Sequence, residues 1–516
     1  MSRPSLPNKA PEPVESGKEQ ASLTKSALQG VFWNYSGIAV LVVVQIISTV
    51  ATARLIAPEW FGVYAAAQAA SGLAAYFTFA TVGLAVLRRS ELGEKTVGTA
   101  VVISLVAATL VLVALWFLAP AWADAWKIPA ATRLIRVLAF ALFFNSLSAV
   151  PLALIRRRLQ FGASALVETI TQVCGISVGV VLAVFLHTTM ALAIGQVVGG
   201  VTLFIGGAAL ARRDLGFSFD RGEARELFTF GGQLSGLYFG AWAVNAIPSW
   251  FTSLSFGKFT LGLYNRASLV VNLPLGYLSL GITKVLFPLY GRVRDDTAKT
   301  KAMLSEGIVL ATGFIWPFFA IAAGGAPVLV GIVLGQRWHG ATPLLRLFVL
   351  IACGMFPTSF LTNAAEALGW IKFAAFRLLV LLTLLGSAVA VVGVAGLGLR
   401  ALLVGVAIAQ WATYVITLKP FVSRGIVNAR LVLGSHIVHG LVSLAAFGAA
   451  FGCAELLAGS GLFVQALGEL VLTLAVCALV LRGRAWYPAS TVLAHRMRGD
   501  LFESGFLARL RTIVLG

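Results

Sequence analysis

Runs of about 20 apolar residues, the length a helix needs to cross ~30 Å of hydrocarbon, recur from Leu28 to Leu481. Within a bilayer every backbone N–H and C=O must be satisfied inside the protein, so such runs fold as helices. Only 11% of the 516 residues are charged, far short of what a soluble chain of that size spreads over its surface. The expected fold class is an all-α polytopic membrane protein.

Polar breaks divide the apolar sequence into about 14 transmembrane helices. The first six spans are Leu28–Ala53, Gly62–Leu87, Val97–Ala119, Arg133–Ile155, Gly162–Leu186 and Met190–Ala211. The next six are Leu227–Leu254, Leu261–Tyr290, Met303–Ala323, Leu344–Leu368, Phe373–Val394 and Ala401–Leu418. Ile437–Leu457 and Leu462–Leu481 complete the set.

The first break, Arg54-Leu-Ile-Ala-Pro-Glu-Trp-Phe-Gly-Val-Tyr64, has a counterpart in Ser255-Phe-Gly-Lys-Phe-Thr-Leu-Gly-Leu-Tyr264. Gly62 and Tyr64 return as Gly262 and Tyr264. Leu134-Ile-Arg-Val-Leu138 likewise returns as Leu344-Leu-Arg-Leu-Phe348, and Gln160-Phe161 as Lys372-Phe373. Recurrence at this spacing indicates two copies of one helical unit. Six spans per copy is an even number, so both copies insert in the same sense. Two six-helix lobes should be related by a pseudo-two-fold along the membrane normal, with two peripheral helices outside the repeat. The expected organisation is a disordered cytoplasmic tail (1–26), an N-lobe (27–211), a cytoplasmic linker (212–226) and a C-lobe (227–420). The last two spans (421–482) and a basic amphipathic cytoplasmic tail (483–516) follow.

The net charge of +19 is distributed with a strong bias. With the amino terminus inside, 28 of the 39 Lys and Arg fall on the cytoplasmic side, among them Arg88, Arg89, Arg156, Arg157, Arg158, Arg212 and Arg213. That is the positive-inside pattern, with both termini cytoplasmic. It accounts for the basic balance without a nucleic-acid surface. No catalytic motif and no long extramembrane loop is present, so no enzyme is expected. The four cysteines lie in apolar runs without metal-ligand spacing, and His436 and His439 form only an i, i+3 pair; no metal is expected.

The charges of interest lie in or beside the spans. Arg54, Arg266 and Lys284 are cations at membrane depth, where an ionisable group marks a site by default. Guanidinium and ammonium groups suit phosphate or carboxylate oxygens. Asn34, Gln45, Asn245 and Asn272 sit on the same leading hairpins, as do Gln68 and Asn265. These cations and the first four amides are the candidate substrate-binding residues. Glu168 and Glu366 are candidates for ion coupling or for pairing with an arginine. Pro248, Pro274, Pro317 and Pro357 fall inside spans and can bend them.

With these residues in view, the chain resembles the polysaccharide (Wzx-type) flippases of the multidrug/oligosaccharidyl-lipid/polysaccharide exporter superfamily. The likeness is carried by Arg54–Tyr64, Gly262-Leu-Tyr-Asn-Arg-Ala267 with Pro274, Phe287-Pro288 followed by Arg294-Asp-Asp296, and Arg157-Arg158-Leu-Gln-Phe161 with Glu168. It implies an oligosaccharide-lipid translocase of the bacterial cytoplasmic (inner) membrane. Polyprenyl-pyrophosphate-linked oligosaccharide would pass from inner to outer leaflet for lipopolysaccharide or exopolysaccharide, by rocking of two lobes around a cationic cavity. Membrane lipids, a polysaccharide polymerase and export machinery are the implied partners, and H+ or Na+ the coupling ion, with no other cofactor. Where relatives carry Asn-Leu-Asp, this chain has Asn245-Ala-Ile247, so a coupling role does not transfer to that position. The alternatives are a multidrug/cation antiporter of the same superfamily, which should place acidic residues in its cavity, and a membrane polysaccharide polymerase or glycosyltransferase, which should need a large outer loop. A flippase for peptidoglycan precursors is a third.

Overall fold

The computed structural model describes residues 41–88, 93–158, 160–293, 296–482 and 486–492, except for side chains at 77–85, 87–88, 227–238, 278–293 and 371. Asn34, the expected amino-terminal tail and the expected carboxy-terminal tail apart from 486–492 lie outside the described residues, and so does the side chain of Lys284.

The apolar runs form helices as their length requires. In chain order they are α1 (Leu41–Leu55), α2 (Pro58–Arg88), α3 (Glu94–Ala125), α4 (Ala131–Leu147), α5 (Ala149–Arg157), α6 (Phe161–Leu186) and α7 (Met190–Ala211). The long α8 (Arg221–Val293) is followed by α9 (Thr297–Gly324), α10 (Ala326–Val333), α11 (Thr342–Ala367), α12 (Ile371–Val394), α13 (Leu399–Ser423), α14 (Ala429–Leu456) and α15 (Leu462–Arg482). Ten of the described helices are long and apolar enough to cross a membrane, α4 and α5 together counting as one. The remaining expected spans correspond to α1, α2 and the two arms of α8.

Three boundaries differ from expectation. The seventh and eighth spans are two helices, the arms of α8, as expected, but they join directly at Gly257, with φ 77° and ψ 175°, and no loop lies between them. Glycine alone among residues takes that positive φ without steric strain, so one residue turns the chain where a loop was expected. After the ninth span, the loop contains α10 and a 3-10 turn over Gln336–Ala341. The thirteenth span begins earlier, at Ala429, because the Asn428 side chain caps it by accepting from the Leu431 N–H at 3.3 Å.

Packing follows the duplicated plan. In the first half α4 contacts α2, α3 and α7, and α6 lies along α7. In the second, α11 contacts α8, α9 and α13, and α12 lies along α13. The extensive contact between α2 and α8 joins the halves. Outside the repeat, α14 lies along α9, where Thr312 Oγ1 and His439 Nδ1 are 3.0 Å apart and the Tyr487 hydroxyl donates to the Gly313 carbonyl. His436 Nε2 is 2.7 Å from the Tyr414 hydroxyl. Both histidines are thus engaged by aromatic and hydroxyl neighbours between packed helices.

Candidate functional site

The halves meet where the repeated motif predicts close approach. A Cβ at Gly62 would stand 1.8 Å from the Lys258 carbonyl oxygen, and one at Gly262 would stand 1.9 Å from the Pro58 carbonyl oxygen. Positions 58 and 258 are repeat equivalents, as are 62 and 262, so the two contacts exchange under the pseudo-two-fold. Only glycine lets α2 and α8 come this close.

Arg266 lies one turn beyond Gly262 on α8 and is 5% exposed. Its Cζ sits 3.6 Å from the centroid of the Phe61 ring, on the opposite half. Its Nε is buried without a hydrogen-bond partner. Phe61 is fully buried and packs at 5.4 Å on Trp338, whose indole donates to the Ala53 carbonyl at 2.8 Å. Beside it, the Tyr64 hydroxyl accepts from Gln68 Nε2 at 2.8 Å and from Gln196 Nε2, and is near enough to Arg266 to feel its charge. The arrangement holds a buried guanidinium against an aromatic face, with its Nε–H unused. Such a group can accept an oxyanion in exchange for the ring.

Bonds between the halves seal the Gly62–Gly262 end. Trp242 donates to the Ala69 carbonyl at 2.9 Å, Trp250 to the Ala125 carbonyl at 2.9 Å, and Ser253 to the Trp126 carbonyl at 2.5 Å. Arg54 Nη2 donates to the Ile332 carbonyl at 2.9 Å.

An apolar cleft of about 880 Å³ begins one turn past Arg266. Leu269, Val270 and Leu273 follow Arg266 by three, four and seven residues, which places them on its helix face. They line the cleft with residues of α1, α9, α10, α11 and α15. Ile46, Phe318 and Cys477 line it and are exposed, so the cleft opens on the flank of the bundle. Ile332, the partner of Arg54, stands on its rim.

A family of polysaccharide biosynthesis proteins matches residues 51–343, which include α2 through α8 and the cleft-lining α9 and α10. The chain belongs to that family. No protein of curated function matches it in sequence. Among solved structures, the lipid II flippase MurJ in an inward closed conformation aligns with TM-score 0.69 at 11% identity, over 87% of this chain and 99% of that one. An inward-facing multidrug resistance MATE family transporter of the MOP superfamily aligns with TM-score 0.58 at 16% identity, over 75% and 94%. A mutant MATE transporter from Vibrio cholerae aligns with TM-score 0.50 at 16% identity, over 79% and 99%. At these identities the likeness is one of fold, and the fold of this polysaccharide biosynthesis protein is that of a transporter.

Within that fold the expected binding residues scatter. Arg266 is in the buried interface and Arg54 at the cleft rim. Gln45 is half-buried on α1. Asn245 is exposed and donates to the Ala241 carbonyl at 3.3 Å; Asn272 is exposed and donates to Ser268 Oγ at 2.8 Å. These local bonds do not bring either amide to Arg266. Glu168 pairs with Arg156 at 2.5 Å. Glu366, exposed at the end of α11, feels the charge of Arg377 on α12. Phe61 and Gln196 were not among the expected residues. Phe61 reads as one more core aromatic, and nothing in sequence joins Gln196 to Tyr64, 132 residues away.

Proposed function

We propose that this member of the polysaccharide biosynthesis family is a flippase moving polyprenyl-pyrophosphate-linked oligosaccharide from the inner to the outer leaflet of the bacterial cytoplasmic membrane. The carrying observation is the juxtaposition of the buried Arg266 guanidinium, its Nε–H unpartnered, with an apolar cleft that starts one turn away and opens sideways. An amphiphile with an anionic head and a hydrocarbon tail satisfies both at once. A pyrophosphate cannot cross ~30 Å of hydrocarbon unaided. Arg266 takes its oxygens in place of the Phe61 ring, while the tail stays in the flank cleft and bilayer.

In this reading Arg54 leaves the Ile332 carbonyl to join Arg266 when the Gly62–Gly262 end opens outward, and Lys284 on the second arm of α8 helps when the cavity faces inward. The duplicated build supports rocking of the halves about their crossing. The charge bias of the loops supports cytoplasmic termini. A polysaccharide polymerase and export machinery would take the product onward.

The deciding experiment deletes the gene and scores lipid-linked oligosaccharide on the inner leaflet together with surface polysaccharide. The expected result is accumulation and loss of polymer, restored by the wild type and not by Arg266→Ala. Unchanged leaflet distribution with intact polymer, in a host without a redundant carrier, would instead point to a drug antiporter.

A further inference from the structure

The cleft contains one carboxylate, and neither the fold nor the cargo explains it. Glu469 on α15 lines the apolar wall. Both its carboxyl oxygens are buried and neither has a hydrogen-bond partner. The group rests on the break between α9 and α10: a Cβ added at Gly325 would fall 2.7 Å from Glu469 Cδ and 2.8 and 2.9 Å from its oxygens. The glycine at the break therefore makes a seat that the carboxyl fills.

An ionised carboxylate in an apolar, membrane-depth setting needs a partner, and burial without one favours the neutral form. The neighbours supply none. From α8 the cleft receives Tyr277; from α15 itself, Thr473 and Cys477; from α1, Thr49. The Thr473 and Thr49 hydroxyls are engaged by the Glu469 and Gln45 backbone carbonyls. Cys453 on α14 packs beside Gly468, the residue before Glu469, where an added Cβ would stand 3.1 Å from the cysteine Sγ. The nearby cation on α11, Arg346, is turned to the Ala323 carbonyl at 3.1 Å and stands 5.1 Å from the Phe451 ring. A hard metal cation takes about six or more oxygen ligands, and this wall offers one carboxylate. A proton needs only that.

We propose that Glu469 is a proton-binding site that couples the flank cleft to the proton gradient. Protonated, the neutral carboxyl sits on Gly325 and holds α15 against the α9–α10 break. When the proton leaves, the carboxylate must reach water, and α15 moves off its seat and changes the width of the cleft. The proton site stands on geometry alone; its use in transport rests on the flippase reading above.

The test separates the two. Infrared difference spectra of the reconstituted full chain, wild type minus Glu469→Gln, are recorded across a pH series. The expected result is the carbonyl band of a protonated carboxylic acid in the difference spectrum, fading as pH rises. Gly325→Ala, which crowds the same seat, should displace that band. A difference spectrum without a titrating acid band, from a Glu469→Gln protein that elutes as one folded species, would overturn the site. In proteoliposomes carrying polyprenyl-pyrophosphate-linked oligosaccharide, a proton gradient should change the wild-type flipping rate and leave the Glu469→Gln rate unchanged. Equal gradient dependence in both proteins, or dependence on sodium instead, would overturn the coupling. A wild type with the acid band and no flipping would refute the flippase reading and leave the proton site standing.

Discussion

An arginine inside an apolar run is rare enough to mark a site, and Arg266, conspicuous in the sequence for that reason, lies buried at the interface between the halves. What sequence does not show is its company, because Phe61 lies in the other half of the chain and reads as an ordinary core aromatic. The amides were less legible. Asn245 and Asn272 sit on the leading hairpin of the second half as expected, yet each is used within one turn of its own helix. For Arg266→Ala the expected loss of transport follows from removing charge-assisted hydrogen bonds to the cargo, worth ~1.5–3 kcal/mol, or about ten- to a hundredfold. Arg266→Lys should recover part of it, since an ammonium keeps the charge and loses the planar fork. Flipping assays in proteoliposomes, normalised to folded protein, decide this. Full activity in Arg266→Ala would remove the residue from the site.

At the scale of elements, the spans were legible because length and apolarity are what a bilayer demands. The direct junction of the seventh and eighth helices was not, because Gly257 turns the chain with a single residue where polar neighbours suggested a loop. The repeated Gly62 and Gly262 were visible, but their meaning as mutual contacts needed the crossing itself. Gly62→Ala or Gly262→Ala must push α2 and α8 apart, since the new Cβ would lie inside a carbonyl oxygen. Overpacking of this kind costs ~1–3 kcal/mol, so the closed arrangement should lose about five- to a hundredfold in population. Raised maleimide labelling at the Gly62–Gly262 end would show it, and unchanged labelling would mean that the helices close by another route. A second element-level prediction concerns the start of α8, where the Asp220 carboxylate accepts from the N–H groups of Gly222 at 2.8 Å and Glu223 at 3.0 Å. These bonds, that from Glu223 first, hold its carboxyl below the ordinary carboxylate range. Its contribution is therefore complete above the unfolded-state value and is lost as pH falls through the lower folded-state one. Asp220→Asn should flatten the acid limb of thermal stability; a limb as steep as the wild type's would show that the cap is not its source.

At the scale of the whole molecule, side chains donate to backbone carbonyls across the two halves at the closed end, beside the packing of α2 on α8. Trp242 reaches Ala69, Trp250 reaches Ala125, and Trp338 reaches Ala53. Ala69 lies inside α2, where a carbonyl serving its own helix keeps a second lone pair. Ala53 and Ala125 lie in the last turns of α1 and α3, whose carbonyls lack an intrahelical partner, so each indole clasps a neighbouring helix without breaking it. Such bonds suit a seal that must open, because each is worth only ~0.5–1.5 kcal/mol net. Trp242→Phe combined with Trp338→Phe removes two of them at separate places, and their effects should roughly add. The expected shift toward the open state is ~1–3 kcal/mol, about five- to a hundredfold. Ser253→Cys supplies the readout, since Ser253 is 2% exposed and its hydroxyl bonds to Trp126 across the same seam. With the four natural cysteines replaced, a membrane-impermeant maleimide added outside cells should label that cysteine slowly in the parent and faster in the double variant. Faster labelling from outside supports both the seal and the charge-derived orientation. Labelling from the cytoplasmic side alone would reverse the orientation, and no acceleration from either side would show that helix packing, rather than the indole bonds, keeps this end shut.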